Sequence, residues 1–441
     1  MAGVHPLKNL LDERRSGKHT GICSVCSANE YVLEAAMERA RQVGQPVLIE
    51  STSNQVNQFG GYTGMTPKDF VAFVHEIAGR IGFPTGSIIL GGDHLGPVPF
   101  KNEASGPALE KSREMVRQYV MAGYTKIHLD TSMLLGDDPV HLPLETATIA
   151  ERGAVLCSAA EEAYAELLSV RPEAIHPVYV IGSEVPIPGG SQEKEDSLKV
   201  TGVSDFEDTV ARFKAAFEKQ GLSEAWDHVV AVVVQPGVEF GDDVIHAYSR
   251  EKAQDLKEAL REHPGLVFEG HSTDYQTAQS LREMVEDGIA ILKVGPALTF
   301  ALREALIALE HMERDLLQDA SGTELSNFME TLDAVMREDP KHWQKYYHGN
   351  EASVRLARKY SFSDRCRYYL PYREVKAALG KLLGNLRSVD IPLTLLSQYM
   401  PIQYGKVRSG RLAIEPEALL KDRVVNLLDD YYHATMPRKH A

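Results

Sequence analysis

Residues 87–97 read SIILGGDHLGP: an apolar β-branched run that stops abruptly at an acid and an imidazole, Asp93 and His94. The same form recurs along the chain. HTGICSVCS (19–27), PVLIEST (46–52), KIHLDTS (126–132), HPVYVIGSE (176–184), HVVAVVVQPG (228–237), LVFEGHSTD (266–274) and IAILKVGPA (289–297) are each nearly continuous in apolar residues and end polar. Continuous apolar runs of this length suit parallel strands that are buried on both faces. Amphipathic stretches lie between them. Thr66, Pro67 and Asp69 start a helix whose apolar face is Phe70, Phe73, Val74, Ile77 and Ile81. Ser204 and Glu207 read as a capping box ahead of Val210, Phe213 and Phe217, with Phe206 on the same face. Eight strand–helix units between about His19 and Leu317 predict an α/β protein, a (β/α)8 barrel. A doubly wound open sheet is the rival, but no G-x-G-x-x-G or P-loop pattern follows any strand.

The sequence divides at about residue 320. Residues 1–320 carry the barrel rhythm; residues 321–441 lack it and are rich in Arg, Lys, Tyr and Leu, as in KHWQKYY (341–347), SDRCRYYL (363–370) and LSQYMPIQYG (396–405). They read as a helical C-terminal extension packed on the barrel. The chain has 441 residues, 43% hydrophobic, and a formal charge of −15, which argues against a nucleic-acid or anionic-membrane partner. No apolar run approaches the ~20 residues of a membrane helix, and the polar start suggests no signal peptide. Four cysteines, Cys23, Cys26, Cys157 and Cys366, make no disulfide framework in so long a chain. A reduced, cytoplasmic globular protein is expected.

In a barrel the active site lies at the carboxyl ends of the strands, and here those ends are polar: Glu50-Ser51, Asp93-His94, Asp130-Thr131-Ser132, Ser183-Glu184, Gln235, His271-Ser272 and Lys293. A neutral imidazole ligates divalent cations, and a neighbouring carboxylate can act as a base. His94 and His271, with Glu184, form the candidate metal set, leaving an open position for substrate. Gln235 is a weaker candidate ligand, and His128 and Asp130 read as supporting groups. The C-x-x-C at Cys23 and Cys26 has no second pair, so a structural role, or one sulfur in the pocket, is preferred over zinc. SNQVNQFGGYTG (53–64) offers Asn54, Gln58 and Tyr62 as neutral hydrogen-bonding groups suited to a polyol, although a decorated glycine-rich loop would look the same. Asp130, Gln235, Ser272 and Lys293 complete the candidate substrate-binding set. Phosphate is expected at residues 270–273 and 293–295, with Arg365 reaching in from the extension.

Taken together, GICSVCSAN, IESTSNQVNQFGGYTGMTP, GGDHLGP, HLDTS, IGSEVPIPGG, VVVQPGVEF, FEGHSTDYQ, LKVGPALTFALREAL and SQYMPIQY resemble the family of the so-called non-catalytic subunit of class II tagatose-1,6-bisphosphate aldolase. The likeness runs over essentially the whole chain. It implies a barrel related to metal-dependent ketose-bisphosphate aldolases, in which Asp93 matches a base and His94 and His271 match metal ligands. The third metal histidine of those aldolases has no match, since Gln235 stands there, which shifts a ligand role toward Glu184. The implied cofactor is a divalent cation, zinc or manganese; no nicotinamide is expected, because the sequence carries no dinucleotide fingerprint. Two functions follow from the resemblance. One is metal-dependent 4-epimerisation of tagatose 6-phosphate to fructose 6-phosphate, by retro-aldol cleavage and readdition with Asp93 and Glu184, or a tyrosine, as candidate acid and base. The other is a stabilising subunit for a separate class II aldolase chain. The ring of polar strand ends favours the epimerase, an isomerase acting on a phosphorylated ketohexose, with a homo-oligomer left open.

Overall fold

Strand β3, Ile88–Leu95, is an eight-residue strand buried from Ile89 onward, and its partners on either side run parallel to it. The remaining strands are β1 (Ile22–Cys26), β2 (Val47–Thr52), β4 (Lys126–Leu129), β5 (Val178–Ile181), β6 (Val229–Val234), β7 (Val267–Gly270) and β8 (Ile289–Val294). Each pairs in parallel with the next, and β8 returns to pair with β1, closing the expected eight-stranded barrel. The structure is a computed structural model and describes residues 4–185 and 198–437. The part of the IGSEVPIPGG motif from residue 186 onward lies outside the described residues. An antiparallel hairpin, Glu239–Phe240 with Ile245–His246, projects beyond β6.

Helices between the strands form the outer layer. The Pro67–Ile81 helix begins as its sequence dictates: Thr66 and Asp69 make a reciprocal capping box with Pro67 in the first turn. The next expected box does not form. The Val203–Lys219 helix starts one residue earlier than Ser204, with Gly202 at its cap and no side-chain cap hydrogen bond. Phe206, Val210, Phe213 and Phe217 are nevertheless all buried, because helical period places them on the barrel side whichever residue caps.

Two large apolar regions result, beside a small one of Phe100, Ala108 and Leu135. The larger lies between the strands and the surrounding helices. The smaller fills the lower half of the barrel lumen with Leu48, Ile89, Val178, Val180, Val230, Val233, Val267 and Ile291, and the N-terminal Pro6–Arg15 helix plugs it with Leu7 and Leu11. After β8 the chain continues through the long Pro296–Leu317 helix into further helices, ending with Pro416–Thr435. That last helix packs back on the barrel: Gly21 N–H donates to the Thr435 carbonyl (2.9 Å), and the Tyr431 hydroxyl donates to the Thr273 carbonyl (2.9 Å). No described helix is long and apolar enough to cross a membrane. All four cysteines are free thiols.

The plug is pH-sensitive. His5 caps its helix by accepting the Leu7 N–H at Nδ1 (3.1 Å), and burial, helped by Lys8, pushes its imidazole down to about 3 from the ordinary 6.5. A depressed value in the folded state means that the unfolded chain binds the proton first. The His5 contribution is therefore complete above about pH 6.5 and is lost as pH falls toward 3. His5→Asn keeps a capping oxygen and removes the titration, so urea unfolding between pH 7 and 4 should show a flatter acid limb; an unchanged slope would refute this role.

Candidate functional site

The upper half of the lumen is ionic. Glu50 on β2, Gly91 on β3 and Lys126 on β4 stand level across three strands. Because Gly91 has no side chain, Glu50 and Lys126 meet across it, with Lys126 Nζ 2.7 Å from Glu50 Oε1. The same ammonium lies 2.7 Å from Glu269 Oε2 on β7. Lys293 on β8 extends the chain of charges, at 2.8 Å from Glu50 Oε2 and 2.6 Å from Asp93 Oδ1. Glu50, Lys126 and Glu269 have no exposed surface. Burial alone would neutralise such groups, but here the partners win: burial lowers both ammonium values, yet the facing carboxylates hold Lys126 and Lys293 above the ordinary lysine range.

Three imidazoles sit above this layer. The rings of His94 and His271 have centroids 4.9 Å apart, and His128 lies 5.2 Å from each. His94 Nδ1 is 2.7 Å from Asp130 Oδ2, His128 Nδ1 is 3.0 Å from Asp93 Oδ1, and His271 Nε2 is 3.0 Å from Glu269 Oε1. Asp93, His128, Glu269 and His271 each place one ligand atom within 4.8 Å of the others. His128 Nε2 is buried with no hydrogen-bond partner among the described residues. Burial lowers the His94 value, but Asp93 and Asp130 outweigh it and raise it overall. Burial brings His271 to about 3, so that imidazole is neutral. Asp93 stays well below the usual carboxylate range, because His94 and Lys293 overcome its burial. His94, Ser272 and Tyr275 adopt left-handed backbone conformations (φ 48°, 51° and 63°), a local strain concentrated at the strand ends that form the mouth.

Of the residues singled out by sequence, Asn54, Tyr62, Asp93, His94, His271, Ser272 and Lys293 line one cavity, and Asp130 lies buried behind His94. Four others are placed elsewhere. Strand β5 ends at Ile181, so Glu184 falls in the following loop, exposed and apart from the carboxylate–histidine group. The Gln235 carboxamide oxygen accepts the N–H groups of Gly237 and Val238 (2.9 and 3.0 Å), capping its own turn. Gln58 donates to the Lys111 carbonyl (2.8 Å), and Arg365 is buried with its Nε on the His342 carbonyl (2.7 Å). Arg367 and Tyr368 reach the cavity instead, with Cys26 and Asp274. Sequence reasoning assigned no role to Lys126 and Glu269 and gave His128 only a supporting one. A charge inside KIHL or LVFEG was the available signal, since an apolar strand tolerates a buried charge only when it is paired.

A closed parallel barrel with a buried carboxylate–histidine mouth defines the class of protein. Within it, residues 7–436 match the family described as D-tagatose-1,6-bisphosphate aldolase subunit GatZ/KbaZ-like, and the chain belongs to that family. It is 47% identical over 425 residues to a D-tagatose-1,6-bisphosphate aldolase subunit GatZ of Klebsiella pneumoniae, covering 96% of this chain and 98% of that one. A Salmonella agona protein of the same name is 46% identical over 98% of this chain and 99% of its own. The crystal structure of a probable tagatose 6 phosphate kinase from Sinorhizobium meliloti matches with a TM-score of 0.85 and 47% identity, covering 94% of this chain and 100% of that one. These relatives correct the expectation of an isomerase: proteins matching at full length are named as subunits of an aldolase, a lyase, and not as epimerases.

Gly91 tests the ionic layer. A methyl group there would lie 2.6 Å from Glu50 Cγ, and that side chain is pinned by two ammonium groups and cannot swing aside. Gly91→Ala should destabilise the protein by about 1–3 kcal/mol, the usual range for overpacking. Denaturant unfolding measures it, and a neutral effect would mean that the Glu50–Lys126 contact is loosely held.

Proposed function

We propose that this chain is a subunit of a class II tagatose-1,6-bisphosphate aldolase that sustains a separate catalytic chain, and that its own mouth holds a divalent cation and a ketose phosphate. The observation that carries the reading is the full-length likeness to proteins named as aldolase subunits. The geometry agrees on one point. The side chain standing where class II aldolases are expected to carry a third metal histidine, Gln235, is spent on its own turn.

The donor set suits a divalent cation. Asp93, His128, Glu269 and His271 would hold it: two imidazoles and two carboxylates are common ligands for zinc or manganese. The partnerless Nε2 of His128 and the neutrality of His271 fit ligation. Charge balance points the same way, since the four carboxylates of Glu50, Asp93, Asp130 and Glu269 outnumber the cationic groups Lys126, Lys293 and His94 in one connected buried network. A bound cation supplies Lewis-acid polarisation of a carbonyl or hydroxyl oxygen. The chain's own groups do the rest. Asp93, kept ionised by His94 and Lys293, accepts a hydrogen bond from a ligand hydroxyl, and Asn54 and Tyr62 hydrogen-bond the polyol.

Three measurements test this. Co-expressed with the aldolase catalytic chain, the protein should lengthen that chain's active lifetime; incubated alone with tagatose 1,6-bisphosphate it should release no triose phosphate. An unchanged lifetime, or cleavage by this chain alone, would overturn the subunit reading. Elemental analysis of His128→Ala with His271→Ala should show metal content reduced at least about tenfold; equal content in wild type and variant removes the cation.

A further inference from the structure

The place where barrels commonly take phosphate is already filled by the chain itself. Asp274 Oδ1 accepts the N–H groups of Gly295 (3.0 Å) and Ala297 (2.8 Å), at the start of the Pro296–Leu317 helix. An internal carboxylate thus sits on the helix N-terminus, and a ligand anion would have to displace it. A positive charge available to a ligand lines the same cavity from the extension. Arg367 makes no ion pair among the described residues. Its guanidinium donates to the Ser363 and Asp364 carbonyls (2.6 and 2.9 Å) and to the Tyr368 hydroxyl (3.1 Å). An arginine carries five N–H donors, so two remain for a ligand.

The turn that carries Arg367 is rigidly mounted. Asp364, in a left-handed conformation (φ 45°), accepts from Arg303 Nε (2.9 Å) and from the Thr299 hydroxyl (2.5 Å), both on the Pro296–Leu317 helix. Tyr368 is held on all sides: the Arg365 and Arg367 guanidinium carbons lie 4.6 Å from its ring centroid, His342 stacks at 4.7 Å, and Tyr62 meets it edge-on at 4.6 Å. Burial would raise the phenol, but the two guanidiniums lower it, which marks a positive local field. Arg367 also stands at a junction. It lines the mouth cavity and, with Cys26, Gln55, Tyr62 and Gly295, a neighbouring chamber of about 530 Å³ between barrel and extension.

We propose that Arg367 and Tyr368 form the phosphate-recognition end of the mouth, clamping the phosphate of a sugar phosphate whose polyol reaches back toward Asp93 and the three histidines. This rests on the ketose-phosphate part of the reading above. The extension is then a working wall of the site: the barrel supplies the polyol and cation groups, and residues 363–368 supply the anion clamp. A planar guanidinium suits this task because it offers parallel donors to two phosphate oxygens.

Calorimetric titration of the full chain with D-tagatose 1,6-bisphosphate, free D-tagatose and inorganic phosphate tests the clamp. Arg367→Gln should weaken the bisphosphate by about 10–100-fold, the range for losing hydrogen bonds to a charged group, and leave free D-tagatose unchanged. Tyr368→Phe keeps the stacking and removes only the hydroxyl that orients Arg367, so a smaller loss in the same direction is expected. This second variant decides the matter should Arg367→Gln melt far below wild type. Bisphosphate affinity within about twofold of wild type in a folded variant overturns the clamp, as does absence of bisphosphate binding to the wild type. Inorganic phosphate binding as tightly as the bisphosphate overturns the sugar-phosphate assignment. The lifetime of the co-expressed aldolase chain, read on the wild type, separates the two ideas: its failure with phosphate discrimination intact counts against the subunit role and not the clamp.

Discussion

Two ammonium groups buried in the lumen, Lys126 and Lys293, set the terms for everything above them. An unpaired charge there would cost several kcal/mol even after relaxation, so each must meet carboxylates at hydrogen-bond distance. Glu50 serves both, and Glu269 and Asp93 complete the pairing. The requirement constrains five strands at once. A one-residue slip of β2 or β4 would turn Glu50 or Lys126 out of the lumen, because side chains alternate along a strand. Ionic pairing therefore specifies register where the apolar plug below, made of interchangeable aliphatic residues, does not.

The ionic layer also sets the chemistry of the mouth. Lys293 and the histidines keep Asp93 ionised despite burial, Glu269 anchors a neutral His271, and Asp130 holds His94. Strained residues gather at the same ends of β3 and β7, at His94, Ser272 and Tyr275. Non-glycine residues in left-handed conformations cost about 1 kcal/mol or more each and persist only where surrounding structure over-determines them. Here the over-determining structure is the packed floor of charges.

The extension closes the arrangement from the side. Its last helix is tied to the barrel through Thr435 and Tyr431, and its central turn is tied through Asp364, Arg303 and Thr299. That second tie brings Arg367 and Tyr368 to the rim. The side chamber shares residues with the mouth because barrel and extension both contribute walls to it.

Periodicity and strand-end polarity, read from the residues alone, determined the eight-stranded barrel and picked out polar strand ends, Asp93 and His271 among them, that meet in one cavity, because buried parallel strands cannot hide their apolar runs. Tertiary structure decided the rest. Glu184 looked like a strand-end ligand, but β5 stops three residues before it, and no local signal reports where a ladder ends. Gln235 looked free to ligate and instead satisfies two amides of its own turn. Arg365 and Arg367 are indistinguishable in SDRCRYYL; a short helical turn sends the first between Tyr346 and Tyr368 and the second to the cavity. Lys126 and Glu269 are 143 positions apart in the chain, and only barrel closure makes them a pair. Distance in sequence carries no information about such contacts, because electrostatic pairing depends on separation in space.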